Sequence, residues 1–287
     1  VYAKRIIVTP EGDTLVDFGQ EVTGYVEFTV NAHAGDKIRI LHSEVLDKHG
    51  NFYNENYRLA KAEINYTCKE GLNTYHPRLT FFGFRMIKLD QWPGDLREVR
   101  KEQFSAIVVC SNIQKTGSLV SSSENLNQFF SNVFWGQRGN FLDVPTDCPQ
   151  RNERLGWTGD AQVFCKAASY NYDVLRFFKK WMKDVYAEQR NCGGLVPQVV
   201  PDVLKNNRPS AGWGDAAAVI PWQMYMTYGD AEILREQYTS MKMWVDYITA
   251  ETKVPNLWAG CWHYGDWLAL DAYQGSYRGA SREDIVA

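Results

Sequence analysis

The sequence predicts a multidomain α and β chain: an antiparallel β-sandwich over residues 1–115, then a helical array or toroid over residues 116–287. Three observations carry this. The 287 residues exceed the length at which one hydrophobic core usually divides. Up to about residue 115, apolar and polar side chains alternate in short runs, the period of a half-buried strand. From Ser121 onward, apolar residues recur at helical spacing instead.

The strands follow in order. Val16–Gln20 leads to Gly24–Val30, which alternates cleanly, and Ala34-Gly-Asp36 then turns the chain into Lys37–Leu41. Asp47–Gly50 and Pro93-Gly-Asp95 mark further turns. Tyr66–Cys68, Phe81–Ile87 and Phe104–Val109 complete a set of short strands at sandwich-like spacing.

In the second part, Ser121 and Glu124 form a candidate capping box ahead of an apolar stripe of Leu126, Phe129, Phe130, Val133 and Phe134. Asp173 can cap a second helix carrying Val174, Phe177, Phe178, Trp181 and Val185, which stops near Cys192-Gly-Gly194. Ala216–Tyr228 is a third helix, apolar nearly all round. Asp230–Thr252 is a fourth, with Ile233, Leu234, Tyr238, Met241, Val245 and Ile248 expected inward. Faces this broad need helical neighbours on more than one side. The helices end at Ser281–Ala287 without an obvious closing element, so the sequence reads either as a homo-oligomer or as a piece of something longer.

Bulk properties remove several functions. A net charge of −3 and a pI near 6.0 argue against nucleic acid or an anionic membrane as partner. No uncharged apolar run reaches about 18 residues, so membrane insertion is not expected. No signal peptide is visible, but the chain starts at Val1, and the sequence does not choose between cytoplasm, periplasm and secretion. The six cysteines lie apart with no C-x-x-C pair and read as free thiols; the five histidines lack metal-ligand spacing. Neither a metal nor a cofactor is expected.

Chemistry concentrates in Asp143–Asp160, DVPTDCPQRNERLGWTGD. Asp147, Arg151, Glu153, Arg154 and Asp160 crowd there beside two prolines, two glycines and Trp157, the composition of an ordered irregular loop. The plain reading is a capped surface loop with mutually paired charges. Two further clusters weigh against it. Ala211-Gly-Trp-Gly-Asp215 precedes the third helix, and Gly260–Trp267 follows the fourth; each sets Trp beside Asp amid glycine. Indole faces stack on the C–H face of a pyranose while carboxylates and Arg bond its hydroxyls. The local alternatives are Asp215 as a helix N-cap and Trp267 as core packing.

The stretch DCPQRNERLGWTGD resembles the signature of the bacterial α-L-rhamnosidase family of glycoside hydrolases. GWGDAAAVIPW (212–222) and YGDWLA (264–269) are similar to later family blocks in the same order. DFGQEVTGYVEF (17–28), HSEVLDKHGNFYNENYR (42–58) and YHPRLTFFGFR (75–85) resemble the β-sandwich domain that precedes the family's catalytic domain. The resemblance covers nearly the whole chain. It implies an (α/α)6 barrel beginning near residue 120, of which this chain holds a part, and inverting hydrolysis of terminal α-L-rhamnosyl groups from a glycoside or polysaccharide. It also implies Glu153 as general acid, with Asp147, Arg151, Trp157 and Asp160 contacting the sugar or supporting the acid. Trp213 and Trp267 match the aromatic wall of the subsite, and Asp215 and Asp266 fall in the same blocks. The family usually has Asp after the arginine where this chain has Asn152.

An acid needs its proton near neutral pH, which Trp157 or the carboxylates of Asp147 and Asp160 would favour. An inverting glycosidase also needs a second carboxylate to activate water. The family's base lies C-terminal to YGDWL, and nothing after Asp266 matches it, so the sequence is expected to hold the acid without the base and to be nearly inactive alone. The alternatives are a non-catalytic carbohydrate-binding fragment, or another enzyme on the same barrel such as a phosphorylase or lyase. A lyase would offer a Tyr/His pair, and the one histidine after residue 120 is His263.

Overall fold

A 19-residue strand, β2 (Thr14–Ala32), organises the N-terminal part of the computed structural model, which describes residues 1–206, 208–255, 257, 258, 262–269 and 271. The sequence suggests two strands here. They are one, because Gly24 lets the backbone pass against its neighbour where a Cβ would stand 1.8 Å from the Ile107 carbonyl oxygen. The irregularity falls between Asp17 and Val22, where the register shifts.

Strand β2 pairs antiparallel with β1 (Arg5–Val8), β7 (Gly71–Tyr75), β8 (Phe82–Gln91) and β9 (Phe104–Val108). Beyond β8 lie β3 (Lys37–Ser43) and β6 (Glu63–Thr67), giving seven strands among the described residues. A small hairpin of β4 (Val45–Leu46) and β5 (Phe52–Tyr53) stands apart. The sheet packs on itself. Phe28 of β2 meets Tyr66 of β6 at 5.8 Å although those strands share no ladder. Val26 and Phe28, and Ile38 and Ile40, are alternate positions that the period-two pattern assigns inward, and they form one buried core with Phe84, Ile87 and Phe104. Each such burial contributes about 1.5–3 kcal/mol. Strand β7 escaped that pattern because its buried inward position is Asn73, whose side chain bonds Lys69, Gly71 and Tyr66.

The chain divides into two compact units. The first holds residues 1–111, 120–143 and 147–154; the second holds residues 112–119, 144–146 and 155–287. The first therefore includes helix α1 (Glu124–Asn140), which packs on β2. Its cap is Ser123, whose Oγ accepts from the Leu126 amide at 3.3 Å, and not Ser121, which bonds Asn127 instead. The expected apolar stripe is open at two of its five positions, Phe129 at 59% and Leu126 at 41% exposure, while Phe130, Val133 and Phe134 are partly buried.

The second unit carries α2 (Thr158–Asn171), α3 (Leu175–Asn191), α4 (Ala216–Tyr228) and α5 (Ala231–Glu251). Helix α2 shows no large apolar stripe in the sequence, because its buried face is small: Ala161, Cys165 and Ala168. Helix α3 buries Phe177, Phe178, Trp181 and Val185 as expected, and Asp173 accepts from the Leu175 amide. Helix α4 ends on Gly229 at φ 69°, a left-handed cap. Helix α5 corrects an expectation. Its buried positions are Ile233, Gln237, Ser240 and Trp244, whereas Tyr238 and Val245 face out at 65% and 55% exposure. The inward face was hidden because half of it is polar. Ser240 donates to Gln189 of α3 at 2.7 Å, and Gln189 donates back to the Ser240 carbonyl at 3.1 Å. Among the described residues no helix is long and apolar enough to cross a membrane. The five described cysteines are free thiols; Cys261, Gly260 and Ser281–Ala287 lie outside the described residues.

Candidate active site

Within the first unit, the segment 147–154 is irregular for local reasons: Pro149 cannot donate to a ladder and Arg154 sits at φ 55°. It leans on the start of β8. A Cβ on Gly83 would stand 2.8 Å from the Pro149 ring and 2.9 Å from the Gln150 nitrogen, so only glycine admits the segment this close. Arg154 donates to the Phe81 carbonyl at 3.3 Å and lays its guanidinium 5.2 Å from the Phe81 ring. Asn152 Oδ1 accepts from the Leu59 amide at 3.4 Å.

On that support Arg151 joins two carboxylates. Its Nε donates to Glu153 Oε2 at 2.8 Å, and its Nη2 to Asp147 Oδ2 at 3.2 Å. Arg58 donates to the same Glu153 oxygen at 3.1 Å. Asp147, Cys148 and Glu153 offer ligand atoms within 4.8 Å of one another. They make a poor metal site. The guanidinium of Arg151 already supplies the cation, and burial pushes the Cys148 thiol up to about 12, keeping it protonated.

Behind this segment is a cavity of about 290 Å³ lined by Glu21, Thr23, Glu44, Trp135, Gly139 and Pro149, among others. Burial pushes the Glu21 carboxyl up to about 9, the Glu44 charge adds to this, and Arg85 opposes it. Burial also raises Glu44, against the Asn56 amide and the charge of Arg151. Glu44 thus connects the cavity electrostatically to the ion-paired group.

The second unit gathers the remaining candidates around an aromatic centre. Tyr264 lies 4.4 Å from Trp213, 4.9 Å from Trp262, 5.1 Å from Trp267 and 6.1 Å from Trp157, measured between ring centroids. Its hydroxyl donates to Gln198 at 2.6 Å, which fixes the ring. Trp157 begins α2, tied to Val199 by a backbone bridge, while Asp160 lies exposed in that helix's first turn. Asp266 is exposed beside Trp267. Asp215 is drawn into scaffolding: it accepts from the Gly212 amide at 3.1 Å and the Trp244 indole at 2.9 Å.

Asp147, Arg151 and Glu153 are thus brought together in one unit, and Trp157, Trp213 and Trp267 in the other. Tyr264 was missed although it heads the YGDWLA block, where its two flanking tryptophans were a legible signal. Arg58 closes the HSEVLDKHGNFYNENYR block, but 95 residues separate it from Glu153 and nothing local joins the two.

Comparison with known proteins gives one answer along the whole chain. Residues 7–110 match the family model described as bacterial alpha-L-rhamnosidase concanavalin-like domain, and residues 114–287 the bacterial alpha-L-rhamnosidase 6 hairpin glycosidase domain. A curated alpha-L-rhamnosidase of Formosa agariphila is 40% identical over 285 residues, 99% of this chain and 30% of that protein. One of Streptomyces avermitilis is 38% identical, covering 93% of this chain and 25% of that protein. Among solved structures, the native Aspergillus terreus α-L-rhamnosidase superposes with a TM-score of 0.93 at 35% identity, over 99% of this chain and 33% of that one. The Streptomyces avermitilis enzyme complexed with L-rhamnose gives 0.88 at 35% identity, over 100% of this chain and 27% of that one. The chain spans about 30% of the length of the first curated relative it matches.

Proposed function

This chain belongs to the bacterial α-L-rhamnosidase family, and on that premise we propose that its protein hydrolyses terminal α-L-rhamnosyl groups with inversion, using Glu153 as general acid. The observation that carries the reading is the fork of Arg151 between Glu153 and Asp147 within the family's signature stretch. Arg151 fixes the carboxyl that must meet the glycosidic oxygen, and Asp147 holds Arg151 in turn. Trp157, Trp213 and Trp267, gathered on Tyr264, supply apolar faces suited to the C–H side of a pyranose. Asp160 and Asp266 are exposed, with carboxylates of the kind that accept from its hydroxyls, and Asp215 acts by holding Trp244. L-rhamnose in the Streptomyces avermitilis structure supports a rhamnoside as substrate.

The test uses the full-length protein and Glu153→Gln, with substrates of unequal leaving-group quality. An alkyl rhamnoside needs its departing oxygen protonated, so its hydrolysis should fall by about 10²–10⁴-fold. A nitrophenyl rhamnoside leaves readily as the anion and should lose much less, while binding of L-rhamnose persists. A variant that cleaves alkyl rhamnosides at the wild-type rate would remove Glu153 from the acid role.

A further inference from the structure

The carboxyl of Glu153 is held from two directions in sequence. Arg151 reaches it from two residues away, and Arg58 reaches the same Oε2 atom from the segment matched by the concanavalin-like model. We propose that Arg58 is a positioning residue for the acid: a side chain of the sheet domain that orients the Glu153 carboxyl and stabilises its charge as the proton leaves. This rests on the assignment of Glu153 above.

The backbone around Arg58 is built for the contact. Arg58 has φ 56° and ψ −115°, a conformation that L-residues rarely adopt and that costs about 1–3 kcal/mol. Its neighbours hold it there. Tyr57 is buried at 1% exposure and donates its hydroxyl to the Gly83 carbonyl at 2.6 Å. The Leu59 amide donates to Asn152, beside the acid. Asn152, where the family usually has Asp, therefore meets the Arg58 turn as an acceptor. The ion pair does not explain this strain as a stability gain. With the Arg58 side chain 59% exposed, such a pair is worth only about 0–1 kcal/mol. What the strained turn achieves is the placement of a guanidinium on one oxygen of one carboxyl.

Convergence on Oε2 has a chemical consequence. With Arg58 and Arg151 both on that atom, the catalytic proton belongs to Oε1. In the acid step the Oε1–H bond breaks and the glycosidic oxygen takes the proton. Water adds to C1 as the leaving group departs with the C1–O electron pair, the water proton passing to the second carboxylate that inversion requires, and Glu153 is left as a carboxylate. Its new charge faces Arg58 and Arg151, with Asp147 and Cys148 as the other ionisable groups of the cluster. Arg58 is the part of this cradle that comes from the sheet domain.

The experiment compares Arg58→Gln, Arg58→Lys and Glu153→Gln in the full-length protein, by steady-state kinetics on alkyl and nitrophenyl rhamnosides across pH. For Arg58→Gln we expect kcat on the alkyl substrate to fall about 10-fold or more, with KM nearly unchanged. The acid works only while it holds its proton, so activity is lost as pH rises. Removing a cation beside it makes the proton harder to lose, so the alkaline limb of the kcat/KM profile should move to higher pH. Arg58→Lys should return the limb toward wild type while recovering part of the rate, since it keeps the charge and loses the planar fork. The limb position does not depend on how much enzyme is folded, which separates this role from a structural one. A wild-type rate and an unmoved limb in Arg58→Gln, with Glu153→Gln inactive on alkyl rhamnosides, would overturn the role of Arg58 alone. Retained activity in Glu153→Gln would overturn the acid assignment first, and the role of Arg58 with it.

Discussion

Trp244 donates its indole N–H to Asp215 Oδ1 at 2.9 Å, tying the start of α4 to the middle of α5. Trp244 is 1% exposed, so no water replaces the carboxylate if it is lost. Asp215→Ala should therefore destabilise the protein by about 1–3 kcal/mol, the cost of an orphaned buried donor. Asp215→Asn retains an acceptor and should lose less. Denaturant unfolding checks both. Wild-type stability in Asp215→Ala, together with lost affinity for L-rhamnose, would make Asp215 a sugar contact instead.

Gly159 lies under Trp213, and a Cβ there would come 2.7 Å from the indole. In a helix alanine is favoured over glycine by about 1 kcal/mol, so an open position would gain from the change. Here overpacking costs about 1–3 kcal/mol and displaces the ring. Gly159→Ala should lower the melting temperature and weaken L-rhamnose binding in a fluorescence titration. A stabilised variant with wild-type affinity would show that Trp213 is not pinned where the proposed wall needs it.

Two buried groups of the first unit give stability an asymmetric pH dependence. Glu21 is pushed up to about 9 from 4.5, first by burial and then by the Glu44 charge. A raised carboxyl contributes fully below 4.5, and its contribution is lost as pH rises toward 9. His42 is lowered by burial from 6.5 to about 4, so its contribution is present above 6.5 and lost as pH falls toward 4. The slopes oppose one another between 4.5 and 6.5, and above 6.5 that of Glu21 acts without its opponent. Glu21→Gln should therefore melt increasingly above wild type as pH rises toward 9. A constant difference between the two melting curves would show that Glu21 carries a charge in the fold.

Most strands could be read because alternate residues from Val26 to Val30, and at Ile38 and Ile40, are large, apolar and buried. Where an inward position is polar the pattern fails: Asn73 conceals β7, and Gln237 and Ser240 conceal part of the inward face of α5, though Ile233 is buried as expected. These groups are buried because their partners are distant in sequence, and a local window does not contain those partners. The same limit applies to the site. Asp147, Arg151 and Glu153 stand within seven residues and announce themselves. Arg58 acquires its place through the bonds of its neighbours, Tyr57 to Gly83 and Leu59 to Asn152, and Asp215 holds Trp244.

Strand β2 also has a bearing on time. Its ladders with β8 and β9 join distant residues, Leu15 to Lys88 and Gly24 to Val108, so these close only after large loops of unfolded chain have been brought together. Pairings of this kind are slow to form. Two supports of segment 147–154, Phe81 and Gly83, flank or belong to β8 of that sheet, and Tyr57 is bonded to Gly83. We expect pulse-labelled refolding to protect the Leu59 amide no earlier than the amides of β8. Early protection of Leu59 would mean that the turn forms independently. On this ordering, segment 147–154 takes its shape late in folding, after the sheet beneath it has closed.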